Sequence, residues 1–198
     1  MNLKNLNRET QLNQKIIEEL INLYSSGNLN SAEHRARKLI KQYPDTFILF
    51  NVLGAILNSQ KKFEEAIKNF KQAIKINPNY AQAENNLGVA YQNLNKFNES
   101  IACYKRAIKL KSDYAEPCNN LGVVLKNLGK FNEAILYLEK ALKIKPHYKE
   151  ASEALGSVFL YLGKYIDGLE MISKGSGFIR FGNNKKIEII NTLNNAKN

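Results

Sequence analysis

The chain has 198 residues, 44% apolar and 24% charged, with a formal net charge of +11, two cysteines and two histidines. That length predicts one domain burying about 70% of the surface its unfolded chain exposes, and the apolar fraction excludes wholesale disorder. The cysteines are too few for a secreted disulfide framework or, with the histidines, for several metal sites, and no apolar run approaches the ~20 residues of a membrane span.

The positive charge is not by itself a ligand signal. The chain holds 24 Lys, 27 Asn and 19 Ile, residues whose codons are A/T-rich, so a low-GC genome produces the bias without an anionic partner. Five of the 29 basic residues are Arg, the better phosphate fork. A basic RNA-binding solenoid therefore stands only as a second alternative.

Residues 1–12 are polar and lack the apolar core of a signal peptide, and a cytoplasmic location is the default expectation. From residue 13 the chain repeats with a period of 34. A degenerate block, 13–46, carries Leu20, Leu23, Gly27, Ala32, Ala36 and Pro44 in register. Three strong blocks follow at 47–80, 81–114 and 115–148. In them Leu53, Leu87 and Leu121 recur, then Gly54, Gly88 and Gly122, then Phe63, Phe97 and Phe131. Ala66, Ser100 and Ala134 recur next, then Ala73, Ala107 and Ala141. Pro78 and Pro146 close two blocks, with Ser112 in the middle one. A fifth, 149–182, keeps Leu155, Gly156, Gly163 and Tyr165 and then decays.

Within each block apolar residues recur at helical intervals in two runs separated by a polar turn, such as Asn95-Lys96 or Gly129-Lys130. Each block is thus a pair of antiparallel helices, A then B. Glycine inside a helix costs ~1 kcal/mol against alanine. Its return every 34 residues predicts close helix–helix approach at Gly54, Gly88 and Gly122. Gly175–Gly182 reads as looped or extended, and after it Ile187, Ile189, Ile190 and Leu193 suggest a short amphipathic helix within 183–198. That helix would cap the last exposed face.

The spacing Leu87-Gly88-x-x-Tyr91…Ser100…Tyr104…Ala107, with Pro78 and Pro146 at block ends, resembles the tetratricopeptide repeat, over roughly residues 13–175. The resemblance implies an all-α fold, a right-handed superhelix of about five helix-turn-helix repeats with helices A lining a concave groove. It identifies a scaffold and not a ligand. It also implies that positions 2, 5, 6, 9, 12 and 13 of each block face the groove.

Those positions supply Asn51, Asn85 and Asn119 at the fifth place, Asn86 and Asn120 at the sixth, and Gln92-Asn93 and Lys126-Asn127 at the twelfth and thirteenth. An amide both donates and accepts, so a row of them pairs with a peptide's C=O and N–H together. The Asn-Asn-Leu-Gly of the third and fourth blocks resembles the inner asparagine array of O-GlcNAc-transferase-type superhelices. The row is interrupted at the sixth position by Val52 and Ala154, and Asn is abundant throughout. A carboxylate clamp of the kind some tetratricopeptide repeats use is disfavoured, because the flanking cations are missing around Asn120. Lys62, Lys96, Lys130 and Lys164 recur at the A–B turns, and Lys75, Lys109 and Lys143 near the ends of helix B, where the backbone dipole favours a cation.

His34 and His147, Cys103 and Cys118 show no zinc spacing. No nucleophile–base motif is present, and Gly175-x-Gly177 lacks the strand and third glycine of a phosphate loop. The expectation is a non-catalytic adaptor that holds a protein or peptide partner in the concave groove, without cofactor or metal. The alternative is the substrate-recruiting module of an enzyme system of glycosyltransferase, sulfotransferase or oxygenase type. Self-association through exposed repeat ends stays open.

Overall fold

A computed structural model describes residues 15–176, 179–181 and 187–189. The fold is all-α helix pairs in the predicted frame, followed by a short ribbon. Helix α1 spans residues 15–25. It is followed by α2 (Leu29–Gln42), α3 (Phe47–Ser59), α4 (Phe63–Ile76), α5 (Ala81–Asn93) and α6 (Phe97–Leu110). Then come α7 (Ala115–Asn127), α8 (Phe131–Ile144), α9 (Lys149–Tyr161) and α10 (Tyr165–Ser176). The chain divides within α6 into two compact units, Met1–Cys103 and Tyr104–Asn198.

Each A–B pair is joined by a turn with one left-handed residue. The positive φ angles fall at Gly27, Lys61, Asn95, Gly129 and Gly163, one per block at the same place in the frame. At Gly163, with φ +75°, the conformation costs a Cβ-free residue nothing; Lys61, at φ 62°, adopts it against an intrinsic preference.

In the first unit α3 packs on α4, α4 on α5, and α2 on α3. Their apolar stripes meet in one core that includes Leu20, Leu39, Leu53, Ile56, Leu57, Phe70 and Leu87. The recurrent glycine has the predicted reason: a Cβ on Gly54 would lie 2.5 Å from the Phe70 ring. In the second unit α7 packs on α8, α8 on α9 and α9 on α10, around fully buried Leu121, Leu125, Leu138 and Leu155. The fifth pair, whose B half decays in sequence, is formed: Gly156 meets Gly168 in place of the usual alanine. A Cβ on Gly156 would stand 2.6 Å from the Gly168 carbonyl oxygen.

Two expectations are corrected. Gly175 and Ser176, expected in a looped or extended segment, are the end of α10. Ile187–Ile189, expected to open an amphipathic capping helix, is a β-strand (β2) paired antiparallel with Ile179–Phe181 (β1), in register Ile179↔Ile189 and Phe181↔Ile187. Ile187, Ile189 and Ile190 satisfy both a two-residue and a three-residue spacing. Their β-branched side chains favour the extended choice. The rest of the expected cap and tail, and the polar segment 1–12, lie outside the described residues.

An ion-pair cluster ties α2 to the start of α4. Glu33 accepts from Arg37 Nε at 2.8 Å and from Lys62 Nζ at 2.8 Å, and Arg37 also reaches Glu65 at 2.9 Å. The Lys62 hydrogen bond, helped by Arg37 and opposed by burial, lowers the Glu33 carboxyl to about 2. A depressed carboxyl contributes stability above its unfolded value of 4.5 and loses it as pH falls towards 2. Both cations are nearly half exposed, so the contribution is screened. Glu33→Gln is expected to cost about 1 kcal/mol at neutral pH, with most of that difference gone near pH 2, read as urea midpoints across that range. A difference from wild type that persists unchanged to pH 2 would contradict the assignment.

Candidate functional site: the open faces of the A helices

Each A helix turns one side to its B helices and leaves a second, narrower stripe accessible. On α3 that stripe is Val52, Ala55, Asn58 and Ser59; on α5 it is Asn86, Val89, Gln92 and Asn93. On α7 it is Asn120, Val123, Lys126 and Asn127, and on α9 Glu153, Ser157, Leu160 and Tyr161. Steps of three and four residues keep each stripe on one helix face.

In the first unit, α3 and α5 are bridged by two amide pairs. Asn86 Nδ2 donates to Asn51 Oδ1 at 3.0 Å, and Asn93 Nδ2 donates to Asn58 Oδ1 at 3.1 Å. Both links join one frame position to the next position of the following block. Asn51 is 4% exposed, and its own Nδ2 donates to the Tyr80 hydroxyl at 3.4 Å, which donates to Gln82 Oε1 at 2.9 Å. The Tyr80 ring stands edge-on to Phe47, with centroids 4.8 Å apart. Burial pushes the Tyr80 phenol above its ordinary pKa, opposed by the Asn51 hydrogen bond.

In the second unit Asn119 is also buried, and its Nδ2 makes a long contact of 3.5 Å to Asn120 Oδ1. Lys126 Nζ donates to Ser157 Oγ at 3.3 Å, and Ser157 donates to the Ala154 carbonyl at 2.7 Å. Tyr161 lies against Phe131 with ring centroids 4.4 Å apart.

The nine sequence-predicted residues therefore separate into two groups. Asn51, Asn85 and Asn119, the fifth-position amides, are interior; in the first unit Asn51 holds Asn86 from below. Asn86, Gln92, Asn120 and Lys126 are half-buried, and Asn93 and Asn127 are exposed. The exposed and half-buried amides keep donors and acceptors at the surface, a pattern suited to polar main chain. The frame puts Ser157 at the ninth and Tyr161 at the thirteenth of the groove-facing places without singling either out, and it reads Phe131 only as a recurrent apolar residue. The available signal was the thirteenth position itself, where Ser59, Asn93 and Asn127 give way to Tyr161.

The turn lysines are placed at the A–B turns as expected, and Lys62 is engaged with Glu33 rather than free. Cys103 and Cys118 are buried and not joined in a disulfide, and burial pushes the Cys118 thiol up, partly offset by Lys140. Among the described residues no cluster of three or more His, Cys, Asp or Glu is placed to hold a metal ion. No helix among them is long and apolar enough to cross a membrane.

Family models match the sequence as "TPR repeat" over residues 54–95 and 93–129 and as "Tetratricopeptide repeat" over residues 115–148. No curated protein sequence gives a significant match. Among solved structures, MamA is 24% identical with a TM-score of 0.68, over 78% of this chain and 90% of that one. PilF of Pseudomonas aeruginosa is 18% identical with a TM-score of 0.76, over 83% of this chain and 76% of that one. YrrB, described as a TPR protein with an unusual peptide-binding site, is 20% identical with a TM-score of 0.62, over 81% and 82%. At these identities the likeness is one of fold.

Proposed function

Residues 54–148 are tetratricopeptide repeats, and on that premise we propose that the chain is a non-catalytic adaptor holding a partner polypeptide against the open faces of its A helices. The observation that carries this reading is the pair of amide bridges Asn51–Asn86 and Asn58–Asn93. They fix the surface amides of α3 and α5 in one orientation, so less rotamer entropy is lost when a partner binds. The remaining donors and acceptors suit peptide main chain, and Asn120 and Asn127 present the same chemistry on α7. YrrB has a peptide-binding site on the same fold, which supports the class of partner without naming it. The alternative of a recruiting module beside an enzyme uses the same faces and differs only in what acts on the captured chain.

The test is affinity capture from lysate with wild type and with Asn86→Ala/Asn120→Ala. A partner held by wild type and lost by a variant with unchanged circular dichroism is the expected result. Equal capture by both moves the site off these faces, and recovery of nucleic acid alone overturns the adaptor reading.

A further inference from the structure

The two described contacts between neighbouring A helices are not built alike. Between α3 and α5 the amides Asn86 and Asn93 close bridges to Asn51 and Asn58. Between α7 and α9 the same frame positions hold Ala154 and Tyr161. Ala154 has no donor to offer, and the buried Asn119 Oδ1 is left without a hydrogen-bond partner. Tyr161 carries no amide to repeat the bridge and instead lies tilted against Phe131 while 74% exposed. The exchange opens a cleft of about 420 Å³ lined by Lys126, Asn127, Gly129, Phe131, Ser157 and Tyr161.

The chemistry of this cleft differs from an amide row. Lys126 is half-buried and, among the described residues, its hydrogen-bond partner is the neutral Ser157 hydroxyl. An ammonium has three donors, so two remain for a ligand, and the ligand that also neutralises the charge is a carboxylate. A phosphate dianion is a poorer match for one ammonium with no arginine fork beside it. Next to the cation stand two aromatic rings, one of them exposed, in a volume typical of pockets that take a side chain or small ligand. Exposed tyrosine in such a place is the residue type that dominates binding energy at interfaces. The cleft is open at the surface, so a chain can enter and leave it, and the carboxylate need not be a terminus.

We propose that this cleft takes an internal acidic residue of a partner polypeptide together with an adjacent aromatic or aliphatic residue. The carboxylate sits on Lys126 Nζ and the apolar side chain against Tyr161 and Phe131. The inference rests on the reading of the A-helix faces as the partner surface and adds to it the composition of the segment bound.

The test selects a displayed library of random peptides on the full chain as wild type, Lys126→Met, Tyr161→Ser and Asn86→Ala/Asn120→Ala. Thermal midpoints confirm that each variant is folded. Wild type is expected to enrich Asp or Glu next to Phe, Tyr, Trp or Leu. An enriched peptide, acetylated and amidated at its ends, should lose about tenfold in affinity with Lys126→Met and again with Tyr161→Ser. Binding only by the same peptide with a free C-terminal acid overturns the side-chain assignment in favour of a terminal carboxylate. Enrichment indifferent to both cleft variants but lost in Asn86→Ala/Asn120→Ala overturns the cleft and leaves the amide faces standing. Loss in the cleft variants alone supports the cleft and removes the amides from the reading. No enrichment by wild type overturns both.

Discussion

Phe70→Ala is expected to destabilise the first unit by about 4 kcal/mol. The ring belongs to α4 and is 1% exposed, within one core with Leu53, Ile56, Leu57 and Leu87. It packs against the bare backbone of α3, with three ring carbons 2.5–2.9 Å from where a Gly54 Cβ would be. Removing it loses the transfer free energy of a benzyl group and leaves a void that two helices joined by a short turn cannot close. The reciprocal change, Gly54→Ala, drives a methyl into the same ring and should cost about 2 kcal/mol. With Phe70→Leu making room, the Gly54→Ala penalty should shrink, because the two residues share one contact. Urea midpoints of the single and double variants read this directly. Strict additivity, or a Phe70→Ala loss below about 1 kcal/mol, would mean that the ring is not what the glycine is there to admit.

Gly156→Ala should cost the second unit about 2–3 kcal/mol, with a different signature. Here the added Cβ would meet backbone rather than a mobile ring: the Gly168 carbonyl oxygen at 2.6 Å and the Ile172 nitrogen at 3.0 Å, both on α10. A backbone cannot rotate away, so α10 must shift as a body. In arrays of this kind each pair depends on its neighbours, so the loss should be local. Hydrogen exchange is expected to rise across 165–176 while the core of the first unit keeps its protection. Equal loss of protection in both units would show instead that they unfold together.

Much of the fold was legible because its causes are local and repeated. The glycine at Gly54 and Gly156, the polar turn at Asn95 and Gly129, and the apolar stripes all return every 34 residues. Periodicity turns each weak signal into a strong one. The candidate site was legible only by halves. The positions of the A-helix amides followed from the frame, but not the burial of Asn51 beneath Tyr80, which depends on a side chain 29 residues away. The ribbon was missed because Ile187, Ile189 and Ile190 fit both helical and extended spacing; pairing with Ile179–Phe181 decides between them.

What the sequence by itself determined is the unit: two helices, a turn, a glycine that lets them close, and the number of times they recur. These depend on residues within one block of 34, where propensity, period and sterics agree. Only the tertiary structure decided which amides stay at the surface, which are spent on bridges, and where Tyr161 and Lys126 open a cleft instead. Those outcomes belong to the contact between blocks, where a side chain's exposure and partners are set by what the neighbouring helix presents to it.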